Sequence, residues 1–267
     1  MVRVRGRFAL ALLAGTALST PVLAVEPSGS AVRVDRAANA AGTTGQRILE
    51  VDGAVFTGDE ITTNSNGLAQ IRFVDNTRIV VGPNSRLVID KFVFNADNTA
   101  RQVTIDTVKG VFRFISGNSP HEAYSIRTPT MVIGVRGTTL DINARGPDSS
   151  VMFISGSGSA CDAGGSCIEI PNPCDLWVAP RGGGFTESTG LDRTLRVSAF
   201  YPLIRNQSGL DPEFRADVGN CLNVNSVTIP DHAYPLDARP EMGPAPLPSP
   251  PPPPIVQSPP PPPYDDQ

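Results

Sequence analysis

Short runs of alternating apolar and polar residues fill the chain from Gly45 to Ile142, and Gly, Asn, Asp and Pro interrupt them at nearly regular intervals. The clearest stretch is residues 68–94, LAQIRFVDNTRIVVGPNSRLVIDKFVF. A period of two indicates β-strands that bury one face. The buried face is predicted to carry Ala69, Ile71, Phe73, Thr77, Ile79, Val81, Ser85, Leu87 and Ile89, and the opposite, solvent-facing side Gln70, Arg72, Arg78 and Arg86.

The residues between these runs are of the kinds that turn a chain, such as Asp75-Asn76 and Gly82-Pro83-Asn84. Further along, Lys109-Gly110 is expected to turn the chain into VFRFISG, in which Phe112 and Phe114 belong to the core and Arg113 faces solvent. The pattern therefore predicts an all-β domain over residues 45–190, built as a solenoid-like or sandwich stack of short strands.

Three blocks within this region, in this order, resemble the FecR-type domain, the periplasmic module of bacterial iron-citrate transport regulators. They are GDEITTNSNGLAQIRFVDNTRIVVGPNSRLVIDKFVF, KGVFRFISG and YSIRTPTMVIGVRGTTLDI, and the best match covers residues 45–142. The resemblance implies a domain that receives a signal from an outer-membrane receptor. Full regulators of the family begin with a cytoplasmic region and a transmembrane helix, whereas this sequence begins differently, so direct action on a sigma factor is not expected.

The first 24 residues have the features of a secretory signal peptide. Arg3, Arg5 and Arg7 precede an apolar run over residues 8–18, and small residues ending at Ala24 offer a cleavage site. The run is shorter than the roughly 20 apolar residues that cross a bilayer, and no later segment is long enough. We therefore expect a bacterial periplasmic or secreted protein with no transmembrane segment in the mature chain, in which residues 25–44 form a linker or a loosely held first strand.

The sequence becomes less regular after the predicted β domain. Residues 191–232 are expected to form an extension in which RTLRVSAFYPLI is a last strand or a short helix and NCLNVNSVTI a closing strand. Residues 233–267 are dominated by proline, which predicts a disordered tail in extended polyproline II conformation.

All four cysteines lie in the second half of the chain: Cys161, Cys167, Cys174 and Cys221. An even number in an exported protein predicts two disulfides. A four-thiolate zinc site is the alternative, but the spacing lacks the paired C-x-x-C arrangement of such sites. Three pairings are possible, and the spacing does not choose among them.

Arg127 and Arg136 are the candidate binding residues. They lie in YSIRTPTMVIGVRGTTLDI, where Gly134 and Gly137 bracket Arg136 and allow the backbone to bend on both sides of it. In one interpretation Arg136 forms a local ion pair with a carboxylate such as Asp141, as exposed arginines commonly do. In the other, both arginines present bidentate donors to an anionic ligand or partner.

No catalytic residue, metal site or cofactor is predicted. His121 and His232 lie in no recognisable acid–base or metal pattern. Removing the first 24 residues, which hold three Arg and no acid, takes the formal net charge from −4 to −7. A nucleic-acid partner is therefore not expected, because phosphate binding needs a basic surface.

The predicted function is a non-enzymatic binding or signal-sensing module of the envelope, with an envelope protein or a small anionic ligand as partner. The alternative is a structural or adhesive protein that displays its β domain on the proline-rich tail.

Overall fold

In the computed structural model, which describes residues 25–43, 45–95 and 97–222, fifteen strands are connected into one hydrogen-bonded sheet. The strands are β1 Gly29–Asp35, β2 Ala38–Gly42, β3 Gly45–Leu49, β4 Ala54–Val55, β5 Glu60–Thr63, β6 Leu68–Phe73, β7 Arg78–Val81, β8 Arg86–Phe94, β9 Ala100–Ile115, β10 Tyr124–Arg127, β11 Met131–Ala144, β12 Ser149–Asp162, β13 Cys167–Ile170, β14 Leu176–Ala179 and β15 Thr186–Ser188. The helices are α1 Gly190–Phe200, α2 Pro202–Arg205 and α3 Gly219–Leu222, with single 3₁₀ turns at His121–Ala123 and Pro212–Phe214. The predicted signal peptide and proline-rich tail lie outside the described residues.

The sheet folds over on itself because its three longest strands, β9, β11 and β12, bend and run through two layers. The second half of β9 pairs with β7 and β11, whereas its first half pairs with β8 and β10. The three strands contain Gly110, Gly137 and Gly156, whose φ angles of 119°, 60° and 78° are unfavourable for other residues. The first layer runs β4-β1-β6-β7-β9-β11-β12-β14-β15, and the second runs β3-β2-β5-β8-β9-β10-β11-β12-β13.

The two layers share one apolar core. Phe73 of the first layer stacks on Phe92 of the second with ring centroids 4.7 Å apart, and the rings of Phe114 and Tyr124 meet edge to face at 5.6 Å. Every residue predicted on the buried face of β6, β7 and β8 is buried, including Thr77 and Ser85. The all-β prediction is confirmed, and of its two forms the structure is the sandwich.

Residues 29–42 form β1 and β2 of the sandwich, so the strand alternative is correct for them and the linker alternative is wrong. β1 pairs with β6 and β2 pairs with β5, and Ala31, Ala38 and Ala40 are fully buried in the core. The small side chains explain the error, because an Ala- and Gly-rich run resembles a linker in composition while it allows close packing between layers.

A second correction concerns the outer face of the first layer, meaning the side turned away from the core. Gln70, Val80 and Arg113 lie on this face and are fully buried, although the sequence predicted solvent around Gln70 and Arg113. Residues 201–216 lie across this face, where Leu203, Leu210 and Phe214 pack on Val80. Gln70 fastens this covering segment, since its Nε2 donates to the Gly209 carbonyl and its Oε1 accepts from the Asp211 amide.

A further local prediction is wrong: Lys109-Gly110 does not turn the chain, because β9 continues through both residues. Of residues 220–229, expected to form a closing strand, the first three belong to the short helix α3, and the others lie outside the described residues. RTLRVSAFYPLI takes the helical alternative as α1 and α2. Helices suit this segment because Val197, Tyr201 and Ile204 bury one stripe against Met152, Ile154 and Leu176 of the sheet.

The cysteines form two disulfides. Cys161–Cys167 joins β12 to β13, and Cys174–Cys221 joins the segment before β14 to α3 across 47 residues. The first disulfide cross-links the hairpin of β12 and β13. The second links α3, which follows the covering segment, to the sandwich. No helix among the described residues is long and apolar enough to cross a bilayer.

We expect all four thiols to be oxidised in protein recovered from the periplasm, and free-thiol titration under denaturation checks this. Reduction should first expose residues 201–222 to protease, because Cys174–Cys221 holds that segment by its far end. Strands β5 to β11 should stay protected, since their apolar core does not depend on the disulfides. Two or more reactive thiols in the oxidised protein, or simultaneous cleavage of both regions after reduction, would contradict this expectation.

Candidate functional site

The structure places Arg127 and Arg136 on the outer face of the second layer but does not bring them into one site. Arg127 ends β10 and lines a hollow of about 430 Å³ with Asp106 and Pro129. Arg136 lies on β11 and lines a separate hollow of about 280 Å³, which we call the Arg136 hollow. The Arg136 hollow is lined by His121, Glu122, Tyr124, Gly134, Val135, Arg136 and Ser159.

The guanidinium of Arg127 is already engaged by two carboxylates. Its Nη2 donates to Asp90 at 2.7 Å, and its Nε and Nη2 donate to Asp106. The hydrogen bond with Asp106 is the main reason that the pKa of Arg127 is raised. Since the Arg127 side chain is 43% exposed, these ion pairs are weak, at about 0–1 kcal/mol each. Arg127 therefore forms local ion pairs of the kind that one interpretation of the sequence expected for Arg136.

Arg136 stands at a β-bulge where β11 changes register against β12. The bulge is held by Thr138, whose Oγ1 accepts from the Arg136 amide at 3.0 Å and donates to the Ser157 carbonyl at 2.7 Å. Gly137 supplies the left-handed residue, with φ of 60°. Bulges redirect side chains and are common at functional sites.

The Arg136 guanidinium is exposed and has no ion pair or hydrogen bond with the described residues. The predicted pair between Arg136 and Asp141 is wrong, because Asp141 lies on the buried outer face of the first layer and binds Arg113. Glu122 also lines the Arg136 hollow but stands beyond ion-pair distance. The hollow thus presents one cation with unused donors to solvent.

The inner wall of the Arg136 hollow is fixed by a buried network around Asp75. The Asp75 carboxylate accepts from Thr77 Oγ1 at 2.8 Å, Ser119 Oγ at 2.6 Å and Tyr124 Oη at 3.1 Å. Tyr124 Oη in turn accepts from the amides of Gly117 and Ser119. Burial raises the pKa of Tyr124, and Asp75 adds to this, so the phenol stays protonated and can donate. The ring of Tyr124 is therefore held in one position behind Arg136.

Tyr124→Phe is expected to lower the free energy of unfolding by about 1–3 kcal/mol, because two amides and a carboxylate lose a partner in a buried place. Urea denaturation followed by circular dichroism measures this. Tyr201→Phe is the matched control, since Ser150 Oγ is the one hydrogen-bond partner of Tyr201 Oη among the described residues. An equal cost for the two changes would mean that the Asp75 network adds nothing.

The buried ion pair between Arg113 and Asp141 was not predicted from the sequence. Arg113 and Asp141 face each other across β9 and β11, and the guanidinium donates from Nε and Nη2 to both carboxylate oxygens at 2.6 and 2.8 Å. Arg113 also donates to the Leu203 carbonyl and to Gln207 Oε1 of the covering segment. Burial raises the pKa of Asp141, and Arg113 opposes that rise. Because both side chains are buried, this pair offers no ligand site. It links strands β9 and β11 to the covering segment through the hydrogen bonds of Arg113.

Within the described residues, no group of three or more His, Cys, Asp or Glu side chains could hold a metal ion.

The chain has a family match in sequence and matches among solved structures. Residues 59–157 match the family model described as FecR protein. No curated protein matches the chain. Two crystal structures described as a "putative anti-sigma factor" from Parabacteroides distasonis align with TM-scores of 0.41 and 0.40 at 15% and 14% identity. Each alignment covers 52% of this chain, and 63% and 62% of those chains, which is less than two thirds of their length. The matched residues 59–157 include the β-bulge and the whole lining of the Arg136 hollow except Ser159.

Proposed function

We propose that this chain, in which residues 59–157 form a FecR-type domain, is a non-enzymatic binding and signal-sensing module of the bacterial cell envelope. The domain supports a regulatory role for the protein. Two disulfides among the described residues are consistent with an oxidising compartment such as the periplasm.

The observation that carries the proposal is the Arg136 hollow. A guanidinium without a described partner is set on a bulge, beside a wall that is fixed by buried hydrogen bonds. A guanidinium binds carboxylates through two parallel hydrogen bonds, and preorganisation lowers the cost of binding. The arrangement suits an acidic side chain of an envelope protein, which would enter the hollow and pair with Arg136.

Arg127 has a secondary place in this proposal. Its guanidinium shares its donors between Asp90 and Asp106, so a partner would have to compete with both. The ion pairs are solvent-exposed, and such pairs exchange partners at small cost. Arg127 would therefore extend the surface towards β10 and contribute less than Arg136.

Retention of an envelope partner by immobilised variants tests this function. We expect Arg136→Ala to weaken retention about tenfold or more, because loss of a charged hydrogen-bonded contact costs roughly 1.5–3 kcal/mol. Arg127→Ala should weaken it less, and the double variant should retain the folded state by circular dichroism. Arg101→Ala is the matched control, since Arg101 is an exposed arginine on β9 outside both hollows. A partner that a folded double variant retains undiminished would remove both arginines from the interface and favour the display role.

A further inference from the structure

The second layer of the sandwich ends on one side in β3, which among the described residues pairs with β2 alone. Every second residue of an edge strand directs its N–H and C=O groups away from the sheet, so the outer side of β3 presents backbone groups that no described strand pairs. Ile48 of β3 is 69% exposed, and Val51, in the turn that follows, is 56% exposed. The edge is therefore open and carries apolar side chains.

The other three strands that end the two layers have features that limit further pairing. β4 has two residues and β15 has three. β13 has four residues and is followed by Pro171, which has no N–H to donate. Short edge strands and prolines are common protections against the addition of another strand. β3, in contrast, has five residues without proline, and it pairs with β2 in an unbroken register.

The charged residue at the centre of β3 does not prevent pairing. A charge that points inward from an edge strand is another common protection. Arg47 points inward, but its guanidinium forms an ion pair with the buried carboxylate of Asp59. Its Nη2 also donates to the Ala54 carbonyl at 2.8 Å. An added strand would therefore meet an arginine whose charge is neutralised and whose position is fixed.

We propose that β3 is a dimerisation edge, at which the β3 strands of two copies of this chain pair antiparallel about a two-fold axis. Directly paired residues share one face of a sheet, so the two Ile48 side chains meet on the outer face when the axis lies at Ile48. Arg47 then lies opposite Leu49 of the other copy. Gln46 lies beside Glu50, to whose carboxylate its amide can donate. An axis at Arg47 would instead set two arginines opposite each other, which destabilises a strand pair.

A second copy complements this edge in both backbone and side chains. The pairing satisfies the outward N–H and C=O groups of both strands, and each contact occurs twice because the interface is symmetric. It also removes the exposed Ile48 side chains from water, and two β-branched side chains directly opposite each other are a favourable cross-strand pair. A strand pair of this length buries less than the roughly 1,200 Å² of stable complexes, so dimers should form only at high protein concentration.

Analytical ultracentrifugation of the full chain, at protein concentrations from about 1 µM to about 1 mM, tests the proposal. We expect a monomer–dimer equilibrium. Ile48→Lys should weaken dimerisation about tenfold or more, because it places like charges directly opposite each other. Leu195→Lys is the matched control, since it makes a similar change at a residue of α1 that is 60% exposed, and it should dimerise like the unchanged protein. Circular dichroism checks that both variants fold.

Two results would overturn the proposal. The first is a chain that stays monomeric over the whole concentration range, which would leave the β3 edge to an extended strand of another protein. The second is a folded Ile48→Lys variant that dimerises like the unchanged protein.

Cross-linking tests the register and does not depend on the lysine variant. A short bismaleimide should join two copies of Ile48→Cys, because directly opposite residues of paired strands have Cβ atoms about 5 Å apart. Leu195→Cys is the control and should give no covalent dimer at the same protein concentration. The absence of a covalent dimer from Ile48→Cys, or equal yields from both variants, would contradict pairing about Ile48.

Discussion

Asp141→Asn is expected to lower the free energy of unfolding by about 3–5 kcal/mol, although it changes only one atom of the side chain. The change leaves the Arg113 charge without its carboxylate at a position that is 0% exposed. A buried charge that loses its partner cannot recover the solvation it gave up on folding. Urea denaturation followed by circular dichroism measures the loss.

Asp106→Asn is the matched control for this change. It breaks an Arg–Asp pair in the same sandwich, between Asp106 and Arg127, where the guanidinium is 43% exposed. The expected cost is about 0–1 kcal/mol, because water and salt replace an exposed carboxylate. If the two Asn variants were equally stable, the buried Arg113–Asp141 pair would not stabilise the fold more than the exposed Arg127–Asp106 pair does.

Phe214→Ala is expected to cost about 3–5 kcal/mol, the range for removing a fully buried aromatic ring. Phe214 is 0% exposed and packs with Leu203 and Leu210 on Val80 of β7. The residue lies 57 positions beyond residue 157, where the FecR match ends. A large effect would therefore show that the covering segment completes the fold.

Leu195→Ala serves as the control for Phe214→Ala. Leu195 lies on α1 and is 60% exposed, so its truncation should stay within about 0.5 kcal/mol. Melting curves of both variants, with limited proteolysis of residues 201–222, give the comparison. A Phe214→Ala protein as stable as Leu195→Ala would mean that the covering segment is only loosely attached.

The sequence predicted the inner faces of the sandwich well, because a period of two reports directly which side of a strand is buried. Ile71, Ile79, Leu87 and Phe114 all lie in the core as expected. The same pattern could not show that the other face of β6, β7 and β9 is also covered. Polar residues such as Gln70 and Arg113 normally face solvent, and here they bind the covering segment by hydrogen bonds that depend on contacts 90 or more residues apart.

The candidate site was predicted only in part. The glycines in the segment with Arg136 drew attention to a bend, which the structure has at Gly137, with the left-handed φ angle of the bulge, and not at Gly134, which pairs regularly with Ser159. The sequence could not assign carboxylates to arginines, because pairing depends on which strands are neighbours. Asp141 is five residues from Arg136 but faces Arg113, whereas Arg127 meets Asp106 across the parallel pair of β9 and β10. The Asp75 network was missed for the same reason.

Site-specific photo-crosslinking in living cells tests most directly whether the Arg136 hollow binds an envelope partner. A benzophenone amino acid replaces Glu122, which is exposed in the lining of the hollow, so that Arg136 itself is kept. The control carries the same group in place of Arg101. We expect an adduct with one envelope protein from position 122, its loss when Arg136→Ala is added, and no adduct from position 101. An adduct that persists at full yield with Arg136→Ala, or equal adducts from both positions, would contradict binding through Arg136.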